Sequence, residues 1–379
     1  MTLVVLGATG SIGHQTLDVA RRLDLDIGVL AARQGSDALF ELAGEFPEAE
    51  IVIADPTESA RERFSAACGP RVSFGGEAIE NAASIANCTV VNGIVGAAGL
   101  RASVAALDAG NRLALANKES LVAGGPVVLD SLAKGGGEII PIDSEHSALF
   151  QCLIGESIET VRKLIVTASG GPFFGWTRAQ LDAVTPTEAL AHPTWAMGPR
   201  VTIDSSTLFN KGLEIIEAHF LFGIDYDQID VVVHPQSIVH SLVEFVDGSV
   251  KAQVGDPDMR VPIQYAITFP VRSAGALPAF GLPGKDLAFR EPDRTVFQAL
   301  DLAFAAGRTG GNAPAVLNAA DEVAVEAFLN GKIGFLSISK FVELALAKVP
   351  FAKVTSVDDV FASDAEARRL TSELIALSC

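Results

Sequence analysis

Basic residues are scarce in this chain. Lys and Arg number 28 against 46 Asp and Glu, a net charge of −18 over 379 residues. Nucleic acids and anionic membrane surfaces are bound by basic faces, so the balance argues against a general binder of either. Any phosphate site must be built locally, against the field of the whole molecule. Cysteine is scarce as well. Cys68, Cys88, Cys152 and Cys379 are scattered with no CxxC spacing, which argues against a disulfide frame or a thiolate zinc site and predicts reduced thiols. Histidine is rare too: His234 and His240 stand six apart with no third ligand nearby, and both read as structural. No long apolar segment and no basic leader is seen, so the expectation is a soluble, cytoplasmic protein.

What is present is hydrophobic residue at 49% and charged residue at 20%, the balance of a globular protein long enough for two or three domains. Residues 2–6 form a buried strand by composition and run into Gly7-Ala8-Thr9-Gly10-Ser11-Ile12-Gly13, after which a helix-like stretch begins. Strand, glycine loop and helix in that order suit a dinucleotide fold, with the amides of Thr9 to Ile12 aimed at a pyrophosphate. The spacing is GxxGxxG rather than GxGxxG, so the motif is only moderately specific, and an ordinary strand-to-helix turn is the lesser, competing account. The second strand, residues 27–31, lacks the terminal acid that holds the ribose of NAD. It ends Ala31-Ala32-Arg33-Gln34, where a guanidinium can pair a 2′-phosphate, so NADP is favoured over NAD.

Strand-like runs at 51–54, 90–94, 112–116 and 138–142 alternate with helix-length segments and predict a parallel sheet with helices on both faces. Two polar segments fall at strand ends, where ligands bind: Asn117-Lys118-Glu119-Ser120 and Asp143-Ser144-Glu145. Two carboxylates at i and i+2 can converge on one hard cation such as Mg²⁺ or Mn²⁺. Alone, the second segment is better read as a strand terminus with solvated acids and Ser144 or Asp143 as a helix cap, and it is the rest of the chain that favours a metal site.

Further on, residues 160–168 read as a strand ending in Ser169-Gly170-Gly171, a possible anion nest. His192-Pro193-Thr194-Trp195-Ala196-Met197-Gly198 reads as a loop whose large apolar residues can close over a ligand. Residues 204–217 predict one helix capped by Ser205 or Ser206 and stopped by Gly223, with Thr207, Asn210, Lys211, Glu214 and Glu217 on one ridge. Asn210 and Lys211 can bind phosphate there, and Glu214 can reach a metal. Residues 229–233 are strand-like, and 237–246 with 249–254 form a hairpin around Asp247-Gly248. The expected architecture is a Rossmann-like domain at 1–143, an α+β catalytic domain at 144–269, a linker at 270–293 and a helical bundle at 294–379.

Taken together, these segments and Gly255-Asp256-Pro257-Asp258-Met259-Arg260 resemble the 1-deoxy-D-xylulose 5-phosphate reductoisomerase family over essentially the whole chain. The resemblance implies a metal (Mg²⁺, Mn²⁺ or Co²⁺) on Asp143, Glu145 and Glu214. It implies substrate phosphate on Ser169, Ser205, Asn210 and Lys211 with His192 close by, and sugar hydroxyls and carbonyl on Lys118, Ser144 and Glu145. NADPH would lie on Gly7, Thr9, Gly10, Ser11, Ile12, Ala32, Arg33, Gln34, Asn117 and Glu119, with Gly198 touching it, and Trp195 and Met197 would cover the substrate. It also implies a homodimer. The family usually has a glycine and an asparagine where Ala32 and Gln34 stand here. A metal-independent NADP dehydrogenase would not need Asp143 and Glu145, and an NADPH-binding sensor would need neither that pair nor Asn210, Lys211 and Glu214.

Overall fold

The structure, a computed structural model, describes residues 2–195, 197–275 and 277–378. Cys379 therefore lies outside the described residues, while Cys68, Cys88 and Cys152 are buried free thiols. The chain forms two compact units.

The first unit takes the residues up to Ser120, Val127–Ser147 and Asp258–Ala279. In chain order its elements are β1 (Thr2–Leu6), α1 (Ser11–Leu23), β2 (Asp26–Ala32), α2 (Asp37–Glu45), β3 (Glu50–Ile53), α3 (Glu58–Cys68), β4 (Val72–Phe74), α4 (Gly76–Ala83), β5 (Cys88–Asn92), α5 (Leu100–Asp108), β6 (Arg112–Leu115), α6 (Lys118–Gly135), β7 (Glu138–Pro141) and α7 (Ser144–Leu153). The seven strands form one sheet in the order β4-β3-β2-β1-β5-β6-β7, every pairing parallel. The order reverses direction beside β1, at β5, which is the switch point where such sheets bind ligands. The expected parallel sheet is thus present, with β4 added, too short to stand out in the sequence. β1 carries a near-continuous apolar run and β5 is buried throughout, because helices cover both faces of such a sheet.

The linear division does not follow the packing. The helix Arg260–Thr268 packs on α1, β6 and β7 and belongs to the first unit. The short stretch Leu121–Pro126, where α6 is broken at Gly124, belongs to the second. Gly125 explains its place: a Cβ there would sit 2.5 Å from the ring of Phe220.

The rest of the second unit is Ala148–Pro257 and the chain from Phe280 on. It holds β8 (Val161–Ala168), the short helices α8 (Arg178–Leu181) and α9 (Pro186–Ala189), α10 (Pro199–Thr207), α11 (Phe209–Phe222), β9 (Ile229–Val233), β10 (Val239–Phe245) and β11 (Val250–Val254). After α12, the helix Arg260–Thr268 of the first unit, come α13 (Ala299–Thr309), α14 (Ala313–Leu329), α15 (Ser337–Lys348) and α16 (Val357–Ala376). The sheet order is β11-β10-β8-β9, antiparallel except for β8 with β9, and β10 turns into β11 at the expected Asp247-Gly248 hairpin. Among the described residues of 270–293 there is no helix, and one β-bridge joins Arg290 to Val233. The terminal helices share one apolar core with α11 and the sheet, through Phe209, Leu213, Ala303, Leu317 and Phe328 among others. They are not a separate bundle: α11 is apolar on more than one face and needs cover on each.

Candidate active site

The first unit places its predicted residues at strand ends. β1 ends in the glycine loop. Gly7 has φ +83°, and a Cβ on it would lie 2.7 Å from the Gly93 carbonyl oxygen. At Gly13 a Cβ would lie 2.3 Å from the Gly7 oxygen, so the last glycine lets α1 pack onto the loop. Gly10 is the N-cap of α1 and offers no side-chain cap, and the first turn carries no acid. The amides of Ser11 and Ile12 are thereby left for an anion. Arg33, just after β2, has a side chain 81% exposed, in a loose 3.8 Å pair with Asp55. Ala32 is buried at the strand end.

Beyond β6, Asn117 caps α6, accepting from the Ser120 amide at 3.2 Å. Its amide nitrogen donates to the carbonyls of Ile94 (2.7 Å) and Gly96 (2.9 Å) and to Glu119 Oε2 (2.7 Å), while Glu119 Oε1 accepts from the Gly96 amide at 3.1 Å. Both side chains are buried, and they fix the loop after β5. Lys118 and Asp143, from the ends of β6 and β7, form an ion pair at 2.6 Å with side chains only 13% and 11% exposed. Burial alone would raise the Asp143 carboxyl, but the Lys118 ammonium and His146 hold it well below the usual carboxylate range. The Ser144 hydroxyl donates to Glu145 Oε2 at the start of α7. Lys118, Asp143, Ser144 and Glu145 thus stand together at the carboxyl edge of the sheet.

The second unit builds on a turn, a loop and a helix break. After β8, Gly170 (φ +84°) and Gly171 (φ +64°) make a tight turn. Ser169 Oγ accepts from the Gly171 amide at 3.2 Å and meets His192 Nε2 at 2.9 Å. His192 Nδ1 accepts from the amides of Thr194 (3.1 Å) and Trp195 (2.9 Å). An acceptor at Nδ1 puts the ring proton on Nε2, so His192 donates to Ser169, and the Ser169 hydroxyl hydrogen is free to donate outward. Burial lowers the His192 pKa, which keeps this tautomer neutral.

The predicted single helix over 204–217 is two. Ser205 and Ser206 lie inside α10 and cap nothing, Leu208 breaks the chain with φ +67°, and α11 starts at Phe209. Thr207 therefore leaves the ridge, whereas Asn210, Lys211 and Glu214 stay together on α11. Asn210 Nδ2 donates to Glu214 Oε1 at 2.5 Å and the Lys211 ammonium pairs with Glu214 Oε2. Lys211 is 4% exposed and Glu214 fully buried. Gly223 ends α11 in the left-handed conformation, as predicted. Gly198 caps α10, and Trp195 and Met197 are half-buried in the loop before it.

His240, read from the sequence as structural, joins this group. Its ring centroid lies 6.1 Å from that of Trp195. Burial, with the nearby charges of His234 and Lys211, lowers its pKa to about 4. Its position in a strand with apolar neighbours hid it. His234 is fully buried, its Nδ1 bonded to the Ala288 carbonyl at 2.8 Å and its ring stacked on Phe289 at 4.7 Å, as a structural histidine should be.

Comparisons with known proteins agree along the chain. Residues 3–125 match the family described as 1-deoxy-D-xylulose 5-phosphate reductoisomerase, residues 139–222 its C-terminal domain, and residues 254–370 the DXP reductoisomerase C-terminal domain. The chain is 49% identical to the 1-deoxy-D-xylulose 5-phosphate reductoisomerase of Xanthomonas axonopodis pv. citri, covering 99% of this chain and 96% of that protein. It is 47% identical to the enzyme of that name from Ralstonia nicotianae over 100% and 99% of the two chains. The Zymomonas mobilis 1-deoxy-D-xylulose 5-phosphate reductoisomerase in complex with NADPH superposes with a TM-score of 0.92, at 42% identity and over 99% and 98% of the chains. A DOX-P reductoisomerase in complex with NADPH, fosmidomycin and magnesium gives 0.91, at 38% identity and over 100% and 98%. The chain belongs to the 1-deoxy-D-xylulose 5-phosphate reductoisomerase family.

Proposed function

We propose that this protein converts 1-deoxy-D-xylulose 5-phosphate to 2-C-methyl-D-erythritol 4-phosphate, with NADPH and a divalent cation, in non-mevalonate isoprenoid precursor synthesis. The observation that carries the reading is kinship over the full chain, 49% identity across 99% of its length, with the predicted polar residues standing at strand ends, in a loop and at a helix start.

The donor chemistry fits both groups. Asp143, Glu145 and Glu214 are carboxylates without thiol or imidazole among them, a set suited to Mg²⁺, Mn²⁺ or Co²⁺. The glycine loop leaves amides for a pyrophosphate, and Arg33 is free enough to take a 2′-phosphate. When bound, the cation supplies Lewis acidity toward the substrate oxygens and NADPH supplies hydride.

The chain's own residues bind and orient. Lys118, already beside Asp143, offers a positive charge to a substrate oxygen, and the hydrogen-bonded Ser144 and Glu145 follow Asp143 in the chain. Ser169, with its acceptor sites taken by Gly171 and His192, presents its hydrogen to the phosphate. Asn210, Lys211 and Ser205 complete that grip, which supplies remote binding energy for orientation. Trp195 and Met197 exclude water. We further infer a cytoplasmic homodimer; the edge strand β11 is half exposed and offers unpaired backbone groups to a second copy.

The deciding experiment is NADPH oxidation with 1-deoxy-D-xylulose 5-phosphate, with and without Mn²⁺. Turnover that requires the metal and is abolished by a chelator is expected. Chelator-insensitive turnover would mean a metal-independent dehydrogenase instead.

A further inference from the structure

The second unit buries another cluster of charge, at the start of α10. Arg200 is the second residue of that helix, two places after Gly198. Its Nη1 donates to Glu322 Oε1 at 2.7 Å and its Nη2 to Asn318 Oδ1 at 2.8 Å, both on α14. Its Nε lies 3.4 Å from Asp204 Oδ2, one turn along α10, and its Nη2 lies 3.9 Å from Asp321 Oδ2. From α16, Arg368 donates to Glu322 Oε2 and to both oxygens of Asp364. Asp204 is 2% exposed and Asp321 is fully buried.

Two guanidinium groups, Arg200 and Arg368, thus face four carboxyls: Asp204, Asp321, Glu322 and Asp364. Two buried acids that face each other do not both ionise. Burial and the Asp204 charge hold Asp321 well above the usual carboxylate range. A buried charge cluster is weak evidence for stability, since well-packed apolar residues do as well or better. Its place in the fold gives it another use. α10 leads from Gly198, where the 192–198 loop ends, to Ser205, and the cluster meets α10 on its first two turns.

We propose that Arg200 is a positioning residue of the substrate site. It fastens the start of α10 to α14 and so sets where the base of the loop and Ser205 stand. The inference rests on the reading that this loop and Ser205 serve the substrate phosphate.

Arg200→Met removes the forked donor and keeps the apolar stem. Its KM for 1-deoxy-D-xylulose 5-phosphate is expected to rise on the order of tenfold, as for a misplacement of part of an ångström. NADPH affinity, read by fluorescence titration, is expected to stay the same. Arg200→Lys should recover part of the loss, because it restores charge without the fork. An unchanged KM in Arg200→Met overturns the proposal, and so does NADPH affinity that falls in step with KM. If that variant does not fold, Asn318→Ala decides: it removes the α14 acceptor of Arg200 Nη2 and leaves every charge of the cluster in place. KM raised several-fold with NADPH affinity kept supports the proposal, and an unchanged KM overturns it. Lys211→Ala run in parallel separates the two readings. If it leaves KM unaltered, the substrate-site reading fails; if it raises KM while Arg200→Met does not, the positioning role fails.

Discussion

The glycine-loop edge of the first unit and the start of α11 in the second hold their polar residues in opposite ways. In the first, the chemistry stands at the ends of parallel strands, and the glycine loop and Arg33 are open to solvent. In the second, Lys211 and Glu214 are buried in a helix start and joined to each other. An open half can take a large, charged cofactor with little rearrangement. A buried half holds its charges away from water, where each missing partner is costly. The comparison teaches that substitutions in the second unit should act on turnover and substrate affinity, and those at the open edge of the first on cofactor choice.

The sharpest way to break that comparison is Glu214→Gln. On the proposed metal set, which loses one of its three charged ligands, it should lower kcat by on the order of a thousandfold or more, while NADPH still quenches or enhances fluorescence as before. An active, chelator-insensitive variant would remove Glu214 from the metal set. Next comes Lys211→Ala. Loss of the proposed charge-assisted hydrogen bond to phosphate predicts a KM increase of about 10- to 100-fold. The same variant removes the ammonium paired with Glu214, so kcat should fall too; a change in neither would disconnect Lys211 from the site.

A third test concerns pH. The folded pKa of His240 is about 4, below its ordinary value of 6.5. The unfolded chain therefore takes up a proton that the folded chain refuses, and stability is lost as pH falls from 6.5 toward 4, by at most roughly 1.4 kcal/mol per pH unit. Urea unfolding across that range should show this slope, and His240→Gln should flatten it. An identical slope in the variant would assign the proton elsewhere. The smallest effect is expected at the exposed edge: Arg33→Ala should narrow the preference for NADPH over NADH by about tenfold or less, as befits a solvent-screened pair. An unaltered ratio would move the 2′-phosphate site away from β2.

Much of the first unit was legible because buried parallel strands are short apolar runs closed by glycine or polar residues. The strands at Thr2–Leu6 and Arg112–Leu115 read directly. The second unit hid more. No glycine or proline marks the break at Leu208, and a leucine with positive φ violates the local preference that any sequence reading relies on. The helical ridge therefore ran on through Thr207 and made Ser205 look like a cap. The surroundings of Arg200 were invisible for a different reason: its partners Asn318 and Glu322 lie 118 and 122 positions away. The return of Asp258–Ala279 to the first unit was hidden likewise, since a nine-residue helix carries no label of the sheet it will cover.

The Gly170-Gly171 turn has one more consequence. A Cβ on Gly171 would come within 2.9 Å of the Ser205 oxygen and the Ser206 Cα, so main chain rests on main chain there, with no flexible side chain between. Such a joint has no give. If Ser169 and α10 hold the substrate phosphate as proposed, the distance between them is a fixed gauge for a tetrahedral anion, and latitude toward bulkier head groups has to come from the loop that carries Trp195.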